Sequence, residues 1–158
     1  MVRMLVLYLL MEGALSGYDV KQVLSRSFVR FWFPVEDASI YSALKTLAGN
    51  GLATASKQGR AVKYRITKRG AAELAALTDG AWESANDQVA NAALAVSGDL
   101  PKPALKDGLT RRLDALRQRR AELESLRRGA LSPLLARREE ALLDAEIDWL
   151  ETELETLS

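Results

Sequence analysis

The chain has 158 residues, a net charge of +1 and a hydrophobic content of 48%, enough to bury the core of one domain or of two small modules. It contains no cysteine and no histidine, which excludes disulfides, thiolate metal sites and catalysis by Cys–His or Ser–His–Asp sets. No apolar run approaches the roughly 18 residues of a membrane span. The longest run, residues 4–11, also lacks the small-residue cleavage site of a signal peptide. We therefore expect a cytoplasmic protein without metal or cofactor.

The charge is distributed unevenly along the chain. Residues 20–70 carry ten lysines and arginines against two carboxylates, whereas residues 81–158 carry eleven basic and fifteen acidic residues. A basic module followed by a mildly acidic one suggests that the first half meets a polyanion. A solvated surface with uneven charge is the alternative, and the charge alone does not decide between the two.

Two helices are predicted at the start of the chain. Residues 2–11 are largely apolar and predict a short helix. A second helix is predicted over residues 18–28, with Ser16 or Gly17 as its cap. Its apolar residues face one side, and Lys21 lies on the other.

A third helix is predicted within residues 36–52, with a buried side and a polar side. Ile40, Leu44 and Leu47 follow one another at spacings of four and three residues, which predicts one buried stripe. The opposite side holds small or basic residues and no acidic one: Ser39, Ser42, Lys45 and Thr46. Such a face can approach an anionic surface closely.

A β-hairpin is predicted next. Its strands are residues 52–57 and 62–67, and Gly59 supplies the turn between them. In the second strand Val62, Tyr64 and Ile66 alternate with Lys63 and Arg65, which predicts one apolar face and one cationic face. The tip of the hairpin then brings together Lys57, Gln58 and Arg60.

A fourth helix is predicted to begin after Thr67 and to continue through Trp82 towards Val96. The segment 97–104 contains two prolines and a glycine, and we interpret it as a linker. Two helices follow it. A turn over residues 129–133 joins them, with Ser132 as cap and Pro133 at the first helical position.

The last two helices carry apolar stripes. In the first of them the stripe is Leu109, Leu113, Leu116, Leu123 and Leu126. In the second, a heptad-like series is formed by Leu143, Ile147, Leu150, Leu154 and Leu157. A two-helix hairpin buries such stripes poorly by itself, so it needs either the first half of the chain or a second copy, and we favour the second copy. The acidic residues beside the series fit a solvated helix face, and we predict no enzyme.

The order of elements in the first half is that of a winged helix-turn-helix. Three stretches there, "SGYDVKQVL", "SIYSALKTLAGNGL" and "KYRITKRG", resemble the PadR family of bacterial transcriptional regulators. The resemblance implies a mainly α fold with a small β-wing. Residues 1–80 would be the winged helix-turn-helix DNA-binding domain, and residues 81–158 a helical dimerisation and effector domain.

The resemblance and the surface pattern together predict the functional residues. DNA contacts are expected from Lys21, Ser39, Tyr41, Ser42, Lys45, Thr46, Lys57, Gln58, Arg60 and Lys63. For Tyr41, we expect a packed ring and an outward hydroxyl. The dimer interface is expected at Leu143, Ile147, Trp149, Leu150 and Leu154.

The family resemblance implies a ligand-responsive repressor that binds a pseudo-palindromic operator as a homodimer. It also implies a small hydrophobic or phenolic effector, and Trp82 is the aromatic residue that could line its site, with ordinary packing as the alternative. The competing hypothesis is a winged-helix adaptor that binds another protein and has no specific DNA binding. Steep salt dependence would distinguish DNA binding from this alternative.

Overall fold

The structure is a computed structural model that describes residues 1–34, 36–126 and 132–157. The chain divides into two compact units, which we describe separately. The N-terminal unit comprises residues 1–81 and 86–98, and the C-terminal unit comprises residues 82–85 and 99–158.

The N-terminal unit contains the predicted succession of helices and a hairpin. Its elements are α1 (Val2–Leu9), β1 (Leu15–Ser16), α2 (Gly17–Arg26), α3 (Val29–Trp32), α4 (Asp37–Gly49), β2 (Ala53–Gln58), β3 (Ala61–Ile66), α5 (Lys68–Asp79) and α6 (Asp87–Ala95). The short helix α3 and the two-residue strand β1 were not predicted from the sequence. The mainly helical fold with a small antiparallel sheet is confirmed.

Helix α2 begins at a capping box, which fixes where its first residues lie. The Asp19 amide donates to the Ser16 hydroxyl (3.2 Å), and the Ser16 amide donates to the Asp19 carboxylate (2.8 Å). Because both the backbone and the side chain of Ser16 donate to the carboxylate, the pKa of Asp19 is lowered. The box satisfies two amide donors that the helix start would leave unpaired. Of the two predicted caps, Ser16 and Gly17, the structure shows Ser16.

The sheet has the strand order β1–β3–β2 and is antiparallel throughout. Gln58 pairs with Ala61, so Gly59 and Arg60 form a two-residue turn, and Gly59 has a φ of +61°. The prediction of an apolar and a cationic face concerned β3 alone, and at the tip β2 adds a cation to the apolar side. The register sets Lys57 opposite Val62, which places this lysine on the face of the apolar residues, and Val62 is exposed there because the strands extend beyond the core.

The predicted continuous fourth helix is also corrected. Helix α5 ends at Asp79, and α6 is a separate helix whose first turn is capped by the Asn86 side chain, which accepts from the Gln88 amide. An asparagine cap competes with continuous helix at this point. Helix α6 buries Ala90, Ala92 and Ala93 within the N-terminal unit.

The C-terminal unit is built on two long helices, α7 (Lys102–Leu126) and α8 (Pro133–Thr156). Helix α7 takes up Lys102 and Pro103 from the predicted linker, since proline is tolerated in a first helical turn. The Ser132 cap and the first-turn Pro133 are confirmed, whereas residues 129–131 of the predicted turn lie outside the described residues. The helices bury Leu109, Leu113 and Leu116 of α7 together with Leu143 and Leu150 of α8.

Candidate nucleic-acid interface

The polar side of α4 is exposed, as its sequence pattern predicts. Ile40, Leu44 and Leu47 are buried and fix the helix on the core of the N-terminal unit. The residues that the opposite side presents are Ser39, Tyr41, Ser42, Lys45 and Thr46, all of them exposed. Five of the ten predicted DNA contacts therefore lie on one helix surface.

Lys21 of α2 forms an ion pair at the start of this surface. Its Nζ lies 2.5 Å from a carboxylate oxygen of Asp37, the first residue of α4. The hydrogen bond to Asp37 raises the pKa of Lys21 and keeps the ammonium charged. The lysine predicted to contact DNA thus also pairs with a carboxylate at the start of α4.

The hairpin cations do not form one cluster. Lys57, Gln58 and Arg60 are exposed at the tip. Lys63 is half-buried further along β3, on the opposite face from Lys57, with its Nζ 3.8 Å from the Asp19 carboxylate. The tip therefore offers two cations and an amide, and Lys63 lies beside α2.

A shallow groove borders α4 on one side and was not recognised from the sequence. Ser39, Ser42 and Thr46 form one wall, and Val2 and Arg3 of α1 contribute to the other. Arg3 lies within an apolar stretch, and the hydrophobic pattern of that stretch predicts a buried helix rather than a binding residue. A single basic residue within the apolar first helix was the feature of the sequence that could have indicated this groove.

The predicted dimer residues divide into two groups. Leu143 and Leu150 are buried against α7 in the same chain, and Ile147 and Leu154 are half-buried. Trp149 is 41% exposed, and its Nε1 donates to the Glu153 carboxylate at 3.1 Å. Two leucines of the predicted heptad series, Leu143 and Leu150, therefore lie on the inner face of the α7–α8 hairpin.

An outward row on α8 was missed. Leu135, Leu142 and Trp149 are exposed and follow one another at intervals of seven residues. A repeat of seven keeps side chains on one face of a helix over several turns. This spacing was readable in the sequence but was obscured by the stronger buried series.

Trp82 is a packed residue rather than an open aromatic wall. It is 2% exposed, and a Cβ placed on Gly108 would lie 2.4 Å from the indole atom Cε2. The indole therefore fills the space that a side chain at this position of α7 would need. Trp82 therefore packs against α7, in keeping with the alternative of ordinary packing.

The described residues contain no group of three or more histidine, cysteine, aspartate or glutamate side chains able to hold a metal ion. Within the same part of the chain, none of the helices combines the length and the apolar character needed to cross a membrane. Beyond Asp37 the exposed face of α4 presents hydroxyl and cationic groups, which bind anions and base edges.

A helix with a polar outer face, a supporting helix before it and a β-hairpin after it define the N-terminal unit as a winged helix-turn-helix module. Residues 6–76 match the model of the Transcriptional regulator PadR-like family. The matched stretch lies within this winged helix-turn-helix module, and the resemblance to the PadR family recognised in the sequence is confirmed there.

Several solved structures are similar to this chain. The PadR-like transcriptional regulator BC1756 from Bacillus cereus has 24% identity and a TM-score of 0.47, over 99% of this chain and 98% of that one. Bacillus subtilis PadR, solved in complex with operator DNA, has 23% identity and a TM-score of 0.42, over 99% and 98%. The protein smu.1604c from Streptococcus mutans UA159 has 19% identity and a TM-score of 0.44, over 98% and 95%. No curated protein matches the sequence.

Proposed function

We propose that this PadR-like regulator is a homodimeric repressor that binds a pseudo-palindromic DNA operator through the outer face of α4. The observation that carries the proposal is the exposure of five small, hydroxylated or basic side chains on one side of this helix. A major groove about 12 Å wide admits one helix, and its base edges are read by hydrogen bonds from such side chains. Ser42 and Lys45 lie opposite the buried stripe and are the proposed base-reading residues.

The electrostatics of α4 support this orientation. Between Ala38 and Gly49 the helix has no carboxylate, so its outer face meets phosphate-rich DNA without repulsion. The Lys21–Asp37 ion pair compensates the charge of the carboxylate at the helix start. DNA therefore meets a neutral to positive surface along the whole length of the helix.

The hairpin tip would add sequence-independent affinity. Lys57 and Arg60 are exposed at the end of β2 and in the turn, and a flexible cation there can reach a phosphate. Phosphate contacts fix register and orientation and carry no sequence information of their own. Gln58 is the neutral hydrogen-bonding group between the two cations.

The dimer is proposed to form through the outward row of α8. Leu135, Leu142 and Trp149 expose apolar surface on one helical face, where a second copy of α8 would cover it. A two-fold dimer would present two α4 helices to half-sites about one DNA turn, roughly 34 Å, or more apart. Repression, and release by a small hydrophobic or phenolic effector, are the parts of the proposal that the family resemblance contributes.

One observation favours the adaptor alternative. Phe28 and Phe31 are 81% and 69% exposed, with ring centroids 6.2 Å apart, and the Arg30 guanidinium lies 4.8 Å from the Phe31 ring centroid. Exposed aromatic pairs beside an arginine are common in protein interfaces. An adaptor would bind protein through this patch and would show no preference among DNA sequences.

Fluorescence anisotropy tests the proposal directly. The full chain is titrated into labelled DNA from immediately upstream of its own gene, and into a scrambled duplex, at several salt concentrations. Tight, salt-sensitive binding that prefers the upstream DNA is the expected result. Equal binding to both duplexes would contradict operator recognition at this DNA, and no binding at low salt would favour the adaptor.

A further inference from the structure

The groove beside α4 extends the exposed face of the helix towards the first turn of α1. It encloses about 460 Å³, and α4 supplies to it the hydroxyls of Ser39, Ser42 and Thr46. Arg3 is the cation of the opposite wall. A groove of this kind, with small hydroxylated residues on one side and a guanidinium on the other, matches the hydrogen-bonding needs of a phosphate diester.

The guanidinium of Arg3 is incompletely satisfied inside the chain. Its Nη2 lies 2.6 Å from a carboxylate oxygen of Glu73, and the Arg3 side chain is 42% exposed. Its Nε is buried and finds no hydrogen-bond partner among the described residues. A buried donor without an acceptor is unusual in a folded protein. The exposed part of the Arg3 side chain, and not the buried Nε, is what an anion in the groove can reach.

We propose that the groove between α1 and α4 holds a DNA backbone phosphate, contacted by Arg3 together with the hydroxyls of Ser39 and Thr46. The inference rests on the proposed DNA-binding function and extends its surface to α1. Arg3 joins the predicted contacts as a positioning residue that orients α4 on the duplex.

This placement divides the outer face of α4 into two parts. Successive helical residues are turned by about 100°, so Ser39 and Thr46 share one edge, and Tyr41 lies on the other. The groove edge would hold the phosphate. Lys45 does not line the groove, and it remains available to base edges together with Tyr41.

The test compares two variants that break the same ion pair. Arg3→Gln removes the cation, and Glu73→Gln removes its partner while leaving the cation in place. For each, the dissociation constants for the operator and for a scrambled duplex are measured as a function of salt, with thermal unfolding as a check of the fold. Arg3→Lys retains the charge and serves as the rescue variant.

The proposal predicts that Arg3→Gln lowers the slope of log Kd against log salt by about 1 for each subunit, hence by about 2 for the homodimer on two half-sites. It also predicts that binding to both duplexes weakens by the same factor. Glu73→Gln is expected to bind at least as tightly as the wild type, and Arg3→Lys to keep the wild-type slope. An unchanged slope in Arg3→Gln, or equal weakening by Arg3→Gln and Glu73→Gln, would overturn the inference alone. A wild-type protein that binds no DNA would overturn the proposed function as well.

Discussion

The ring of Tyr41 lies against the backbone of Gly17, where helix α4 meets the first residue of α2. A Cβ placed on Gly17 would stand 2.2 Å from ring atom Cε1 and 2.7 Å from Cδ1, so the contact requires a residue without a side chain. Gly17 is buried, whereas Tyr41 stays 45% exposed. The ring of Tyr41 is therefore packed, as expected, and the capping box at Ser16 holds Gly17 in place.

Gly17→Ala is expected to displace the Tyr41 ring and to weaken operator binding. The added methyl group overpacks the contact, which costs about 1–3 kcal/mol in the free energy of unfolding. In a Tyr41→Ala background the same substitution should cost almost nothing, because its steric partner is gone. Gly13→Ala is the control, since no atom lies within 4 Å of a Cβ at that position. Equal losses with and without the tyrosine, measured by chemical denaturation, would contradict the contact.

Because the guanidinium of Arg112 is buried, we expect a large loss of stability when its partner Glu146 is changed. Arg112 is 2% exposed, and it donates to the Glu146 carboxylate at 2.9 Å and to the Ser84 carbonyl at 2.8 Å. Glu146→Gln removes a carboxylate that this buried guanidinium binds, and we expect the free energy of unfolding to fall by about 2 kcal/mol.

The matched control for Glu146→Gln is Glu151→Gln, because its Arg117 partner is exposed although the two lie only 2.7 Å apart. An exposed pair contributes at most about 1 kcal/mol. Urea unfolding of the two variants measures the difference. Equal losses of unfolding free energy in the two variants would show that the buried ion pair contributes no more than the exposed one.

The outward row of α8 predicts the oligomeric state. Leu142→Glu places a carboxylate in the proposed dimer interface, and we expect the variant to be a monomer at concentrations at which the wild type is a dimer. Leu134→Glu changes a leucine that is equally apolar and 70% exposed but lies outside the row, and it should leave the dimer intact. Light scattering after gel filtration reports the mass. Dissociation by both variants, or by neither, would count against this interface.

The capping box predicts a pH-dependent contribution to stability. Hydrogen bonds from Ser16 lower the pKa of Asp19 in the folded chain, so the ionised carboxylate stabilises the fold. This contribution is complete above the unfolded-state pKa of about 3.9, and it is lost as the pH falls through the lower folded-state value. The stability difference between wild type and Asp19→Asn should therefore be constant near neutral pH and shrink in acid. If the stability difference grew as the pH fell, the pKa of Asp19 would be raised by folding, which would contradict the prediction.

The sequence predicts best where local pattern and packing agree. Ile40, Leu44 and Leu47 form the buried stripe that their spacing indicates, and the Ser16 cap follows from local chemistry. Lys57 was harder to place, because strand register decides which face a residue occupies, and a shift of one residue reverses it.

Tertiary contacts account for what sequence reasoning missed. The burial of Arg112 depends on Glu146 and on residues 82–85, which are distant in sequence. The break after Asp79 depends on the Asn86 cap, which outweighs a helix-forming composition. The groove at Arg3 is likewise created by the packing of α1 beside α4, which no pattern within α1 reveals.

The central claim, that the outer face of α4 reads base sequence, is tested most directly by the ratio of dissociation constants for matched and mismatched operators. We expect Lys45→Ala and Ser42→Ala to reduce this ratio, by about 1–3 kcal/mol of discrimination for a lost base contact. Arg60→Ala at the hairpin tip should weaken both duplexes alike and leave the ratio unchanged. A ratio that stays at the wild-type value in both α4 variants would contradict the claim.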